Sequence, residues 1–183
     1  MSDFRKVSEH LVHRGNVVSF WEGTFVGPDG REFTRDIVRH PGAVSIVPLF
    51  DDGTVVLVRQ YRAALETEVL EIPAGKLDID GEPLEVCAAR ELEEEVGYRA
   101  ERLEKLVGFA QSPGFCDEIN HVFLATGLTE VPHDRQGIEE EHMVSERFAL
   151  TDVPRLVAAG TIIDAKSIVG LMLTIERVAS GHE

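Results

Sequence analysis

The sequence predicts a mixed α/β or α+β sandwich preceded by an antiparallel β meander. Three observations carry this expectation. Strand-length apolar or alternating runs fill most of the first half of the chain. Helical periodicity is confined to residues 83–96 and to two segments near the C-terminus. The order of these elements shows no regular βαβ alternation. His40-Pro41-Gly42 marks the expected junction, with the meander at 1–41 and the main domain at 42–183.

"VSEHLVHRG" and "VVSFWEGTFV" read as strands, and "GPDG" turns the chain into "REFTRDIVRH". "AVSIVPLF" (43–50), "DDG" and "TVVLVRQYR" (54–62) read as a hairpin of two buried strands. "EVLEIPAG" (68–75) is a short strand ending at Pro-Ala-Gly. Residues 83–96 read as a helix, with Pro83 suited to its first turn and Gly97 to its C-terminal cap. "ERLEKLVGFAQS", "EINHVFLATGL" and the alternating "MVSERFAL" are further strands. "TDVPRLVAAG" and "DAKSIVGLMLTIERVAS" read as helices, with Asp152 and Asp164 as candidate N-caps.

The chain has 183 residues, 43% of them hydrophobic, and no apolar run long enough to span a membrane. "MSDFRKVSEHLVHRG" lacks the apolar core of a secretory signal. Cys87 and Cys116 form neither a CxxC nor a paired spacing, which points to two reduced thiols in a cytoplasmic protein. A net charge of −15 argues against a nucleic-acid partner. A small phosphorylated substrate remains compatible, provided a divalent cation reverses the local field.

The most informative stretch is "GKLDIDGEPLEVCAARELEEEVGY", from Gly75 to Tyr98. On a helix of 84–96, Leu84, Ala88 and Leu92 form an apolar stripe. Glu91, Glu94 and Glu95 stand at i, i+3 and i+4 and share one face, while Glu93 points to solvent. Three like charges repel, and within the helix none has a basic partner four residues further on. A solvated acidic face is one reading. The other is a site for a hard divalent cation, Mg²⁺ or Mn²⁺, which takes carboxylate oxygens and bridges phosphates.

The flanking residues favour the second reading. Gly75, then Glu82, then Arg90-Glu91-Leu92-x-Glu94-Glu95-x-Gly97-Tyr98 resembles the Nudix box, GX5EX7REUXEEXGU, of the Nudix hydrolases. The spacing from Glu82 to Tyr98 fits without a gap, and one extra residue separates Gly75 from Glu82. The resemblance implies an α/β/α sandwich with a mixed sheet and metal-assisted attack of water on a pyrophosphate phosphorus. It implies that Glu91 and Glu95 are the principal metal ligands, with the Ala74 carbonyl a further ligand and Glu94 adding metal or water contacts. Arg90 is expected to pair with and orient a box glutamate, and Glu82 to support the helix start.

Features outside the box resemble the ADP-ribose pyrophosphatase subgroup: Pro113 within "SPGFCDE" (112–118, ending at Glu118), "VRQYR" (58–62), "EIPAG" (71–75) and the β meander. The subgroup implies Mg²⁺-dependent hydrolysis of ADP-ribose to AMP and ribose 5-phosphate, and a homodimer that exchanges the meander. GDP-mannose or another nucleotide sugar is the alternative substrate, and a non-catalytic nucleotide sensor a third reading. Arg62, Arg35, Pro113 and Glu118 are the substrate-binding candidates, with Arg62 set toward the terminal phosphate. A base is expected from "QGIEEEHMV" (136–144), with Gly137 as a hinge. Glu139 falls in the base position and Glu141 beside the metals, although any of Glu139, Glu140 and Glu141 could serve. The histidines are scattered and form no ligand spacing.

Overall fold

The structure is a computed structural model and describes residues 3–135 and 138–181. Two compact units divide the chain. One takes in the described residues up to Gly42 together with Ala110–Ile119; the other comprises Ala43–Phe109 and the described residues from Asn120 onward.

In the first unit, β1 (Arg5–Arg14), β2 (Ser19–Val26) and β3 (Glu32–Arg39) form an antiparallel meander in that order. The GPDG turn closes through Gly30, which takes a left-handed φ of 81°. Pro113 heads an exposed turn in which the Phe115 and Cys116 amides donate to the Ser112 carbonyl, at 3.1 and 2.9 Å. Asp117 in the same stretch accepts from Arg39 Nη1 at 2.8 Å and from the His40 amide at 2.9 Å.

The second unit holds two sheets. One is ordered β10 (Val144–Ala149), β5 (Thr54–Arg62), β6 (Thr67–Glu71). The other is ordered β7 (Ala74–Lys76), β4 (Ala43–Pro48), β9 (Ile119–Glu130), β8 (Tyr98–Ala110), and it is mixed because β4 and β9 run parallel. Among the described residues, four α-helices accompany them: α1 (Leu84–Val96), α2 (Ile138–Glu141), α3 (Val153–Ala158) and α4 (Ala165–Ala179). Successive side chains of β4, β5 and β9 alternate between two cores. Val44, Ile46, Val56, Val58, Phe123 and Ala125 pack with Cys87, Ala88, Leu92 and Val96 of α1. Val47, Val55, Leu57, Val122 and Leu124 pack with Val153, Leu156 and Leu171 of α3 and α4. Burial on both faces explains why these strands read as unbroken apolar runs. Each of the valine, leucine, isoleucine and phenylalanine side chains among them contributes roughly 1.5–3 kcal/mol by leaving water.

The expected layers and elements are present, with four local corrections. Strands β4 and β5 do not form a hairpin ladder: only Leu49 bridges Val55, and the two strands join different sheets. "EVLEIPAG" is not one strand, because Pro73 has no amide to extend the ladder, so β6 ends at Glu71 and β7 pairs with β4. The acidic run after Gly137 contains a turn of helix, α2, where a loop was expected. Asp152 stands at the N-terminus of α3 without a side-chain cap, whereas Asp164 caps α4 by accepting from the Ser167 amide at 3.0 Å.

Candidate active site

Helix α1 carries the acid-rich stretch. Pro83 precedes it at φ −62°, and Gly97 ends it in the left-handed conformation with its amide donating to the Glu93 and Leu92 carbonyls. Cys87, Ala88, Leu92 and Val96 are buried, which fixes the rotation of the helix about its axis. Glu93 then faces outward and pairs with Arg99 at 2.7 Å. Between Gly75 and Glu82, the additional residue is absorbed in a turn: the Glu82 amide donates to the Ile79 carbonyl at 3.2 Å and Gly81 adopts φ 76°.

The face opposite Glu93 is only partly neutralised. Arg90 is the hub. Its Nε and Nη2 donate to the two Glu82 oxygens, both at 3.2 Å, and its Nη1 reaches Glu94 Oε2 at 2.9 Å and Glu91 Oε1 at 2.8 Å. A basic partner is therefore present, four residues before Glu94 and not after it. One guanidinium serves three carboxylates, so negative charge is left in excess. That excess falls on Glu91 and Glu95. Burial pushes the Glu91 carboxyl up to about 7; Arg90 opposes the rise, and Glu94 and Glu140 add to it. Burial pushes Glu95 up to about 8; the amide of Ala74 opposes the rise, and Glu91 and Glu140 add to it. Glu95 is only 4% exposed.

The opposite wall is β7. The Ala74 amide donates to Glu95 Oε2 at 3.0 Å. Gly75 lies so close to α1 that a Cβ built on it would overlap the Glu91 carboxyl group. The glycine is thus required for close approach. The carboxylate oxygens of Glu91 and Glu95, short of positive charge, suit a hard divalent cation.

This electrostatic arrangement has a measurable consequence. With folded-state carboxyls titrating near 7 and 8, the metal-free protein holds protons that the unfolded chain has lost above the ordinary value of 4.5. Stability contributed by these protonated groups is full below about 4.5 and is lost as pH rises through about 7 to 8. Metal-free Glu95→Gln should therefore melt above the wild type at pH 8.5, by an amount on the order of a few kcal/mol. The gap should close toward pH 5. Thermal melts showing the same difference at both pH values would contradict the assigned electrostatics.

Beside this cluster lies a buried ionic network. Arg62 Nε and Nη2 donate to the Glu71 carboxylate at 2.7 and 2.5 Å. Lys166, itself buried, also donates to Glu71 and to Asp164 Oδ2, the latter at 2.9 Å. Burial alone would raise the Glu71 carboxyl, yet the Arg62 and Lys166 cations bring it below the usual range. The Ser167 hydroxyl accepts from the Ile72 amide at 2.9 Å, so α4 also holds the strand leading to Pro73 and Ala74. Part of the Arg62 guanidinium is thus committed to Glu71, while 40% of its side chain remains exposed.

The structure brings Ala74, Arg90, Glu91, Glu94 and Glu95 together. Glu139 and Glu141 sit exposed on α2, Glu140 is half-buried there, and it is the Glu140 charge that is felt at both Glu91 and Glu95. Gly137 lies outside the described residues. Arg35, Pro113 and Glu118 belong to the first unit. There Arg35 stacks over the Phe33 ring at 4.6 Å and Glu118 is half-buried. Sequence reasoning missed the roles of Glu71, Lys166 and Arg135. The first two pair across 95 positions, and Arg135 stands alone beside an acidic run, so no periodicity could have revealed them.

Comparison with known proteins adds independent findings. The sequence model of the NUDIX domain family matches residues 39–168. The chain is 40% identical to the ADP-ribose pyrophosphatase of Bacillus subtilis, over 89% of this chain and 88% of that protein. It is 38% identical to the methanol dehydrogenase activator of Bacillus methanolicus, over 98% and 96% of the two chains. It is likewise 38% identical to the ADP-ribose pyrophosphatase of Mycobacterium tuberculosis, over 98% and 86%. A crystal structure of an ADP compounds hydrolase superposes with a TM-score of 0.86 at 23% identity, covering 98% of this chain and 96% of that one, and shares the fold.

Proposed function

The chain belongs to the NUDIX family, and on that premise we propose that it hydrolyses the pyrophosphate bond of ADP-ribose to AMP and ribose 5-phosphate. The observation that carries the reading is the pair of under-neutralised carboxylates, half-buried Glu91 and buried Glu95, held against Ala74 and Gly75. Nudix hydrolases use divalent metal ions, and Mg²⁺ is the ion we assign, with Mn²⁺ as its substitute. Bound there, such an ion polarises phosphoryl oxygens and lowers the pKa of a water molecule.

The chain's own residues do the rest. Glu91, Glu95 and the Ala74 carbonyl hold the ion, and Glu94 contacts it or the attacking water. Arg90 keeps Glu82, Glu91 and Glu94 from swinging into solvent. Glu139 is the base that spacing implies, with Glu141 beside the metals. The Glu140 charge felt at both metal glutamates favours Glu140 as a second candidate. Arg62, braced by Glu71, meets the terminal phosphate with the exposed part of its guanidinium. Arg35, Pro113 and Glu118 are assigned to the remainder of the substrate on the subgroup resemblance.

In this reading 42–183 is the hydrolase domain, and the meander at 1–41 is exchanged in a homodimer. Exposed Val7, Leu11 and Val12 along β1 support a partner for that strand. Among the described residues no helix is long and apolar enough to cross a membrane. Unpaired Cys87 and Cys116 support a cytoplasmic location.

A substrate panel of ADP-ribose, GDP-mannose, NADH, diadenosine polyphosphates and dGTP with Mg²⁺ tests the assignment. The highest kcat/KM is expected for ADP-ribose. A clear preference for GDP-mannose would transfer the same site to the nucleotide-sugar alternative.

A further inference from the structure

We propose that Arg135 is a positioning residue that sets the acid-bearing helix α2 against the metal glutamates of α1. The inference rests on the hydrolase reading above. Helix α2 has four residues and buries none of them, so it is too short to be stable alone and too exposed to be placed by packing. Anchors beyond its ends therefore help to set its position.

Arg135 supplies those anchors from one planar group. Its Nε donates to the Glu95 carbonyl at 2.9 Å, its Nη1 to the Met143 carbonyl at 2.5 Å, and its Nη2 to the Ser145 hydroxyl at 3.0 Å. The three acceptors lie on the last turn of α1, two residues past the end of α2, and on β10. Met143 is buried, and its amide donates to the Glu140 carbonyl at 3.0 Å. A continuous chain of hydrogen bonds therefore runs from the backbone of Glu95 to the backbone of Glu140. The incoming segment is fixed as well, since the Asp134 amide donates to the Glu94 carbonyl at 3.2 Å and the Val131 amide to the Gly97 carbonyl at 2.8 Å. A guanidinium can hold three acceptors in a fixed fork; an ammonium cannot reproduce that geometry.

A simpler role would be to satisfy an orphan carbonyl at the end of α1 and no more. The two roles separate experimentally. In Arg135→Gln, kcat for ADP-ribose at saturating Mg²⁺ should fall about 30-fold, because a base displaced by an ångström loses much of its effect. KM should stay within about twofold, and Mn²⁺ affinity should change by no more than it does in the E139Q, E140Q, E141Q triple variant. In a background carrying E139Q, E140Q and E141Q, the same substitution should cause no further fall. An unchanged kcat, an equal fractional fall in both backgrounds, or a loss of Mn²⁺ affinity when Arg135→Gln is added to the triple variant would overturn the inference. Should Arg135→Gln fail to fold, Arg135→Lys reads the same effect: kcat between wild type and the triple variant supports the role, and full wild-type kcat overturns it. Absence of wild-type turnover on ADP-ribose is a separate result, which removes the parent reading and this inference with it.

Discussion

Glu95→Gln is expected to lower turnover of ADP-ribose by about 10³-fold at saturating Mg²⁺ while the fold survives. The substitution is nearly isosteric, and the Ala74 amide keeps an acceptor in the glutamine carbonyl. What disappears is one full negative charge in a buried place where Arg90 is already shared among Glu82, Glu91 and Glu94. A metal ion contributes several kcal/mol of transition-state stabilisation through its charge, and each 1.36 kcal/mol is a factor of ten in rate. Loss of a principal ligand forfeits much of that contribution and weakens metal binding in parallel. Steady-state kinetics across a Mg²⁺ titration, with a melting curve to verify folding, measures both effects. Near wild-type turnover would remove Glu95 from the metal site.

Gly75→Ala should lower turnover by about 10²-fold through geometry alone. The added methyl group would occupy the space of the Glu91 carboxyl. That carboxyl ends a flexible side chain, so the side chain gives way before the backbone does. Fold and melting temperature should be largely kept, while Glu91 leaves the face it shares with Glu95. The half-saturating Mg²⁺ concentration should rise together with the fall in kcat. Gly81→Ala is the control, because that position is open and lies on the preceding turn, and its cost is confined to a strained φ of 76°. Equal kinetics for Gly75→Ala and wild type would show that Glu91 does not need its present place.

Much of this was legible in the sequence because the signals are local. Of the expected stripe on α1, Ala88 and Leu92 are buried and Leu84 is partly buried against the same core, joined by Cys87 and Val96, and Glu93 turned outward as the 100° period requires. Gly97 ends the helix for the reason its residue type suggests. Elements that depend on distant partners were not legible. Strands β4 and β5 looked like a hairpin because they are neighbours in sequence, yet each finds its ladder elsewhere. Helix α2 is too short to show a period. The Glu71–Lys166 pair and the triple anchor of Arg135 exist only after the chain has folded. The resemblance supplied roles for Arg35, Pro113 and Glu118 that spacing by itself could not.

The most direct measurement follows ADP-ribose by phosphorus NMR, with purified protein, in the presence of Mg²⁺ or of a chelator. Hydrolysis at the metal face of α1 should yield AMP and ribose 5-phosphate in equal amounts with Mg²⁺, and leave ADP-ribose intact with the chelator. Intact ADP-ribose at saturating Mg²⁺, or cleavage that the chelator does not slow, would contradict a cation held by Glu91 and Glu95 as the engine of the reaction.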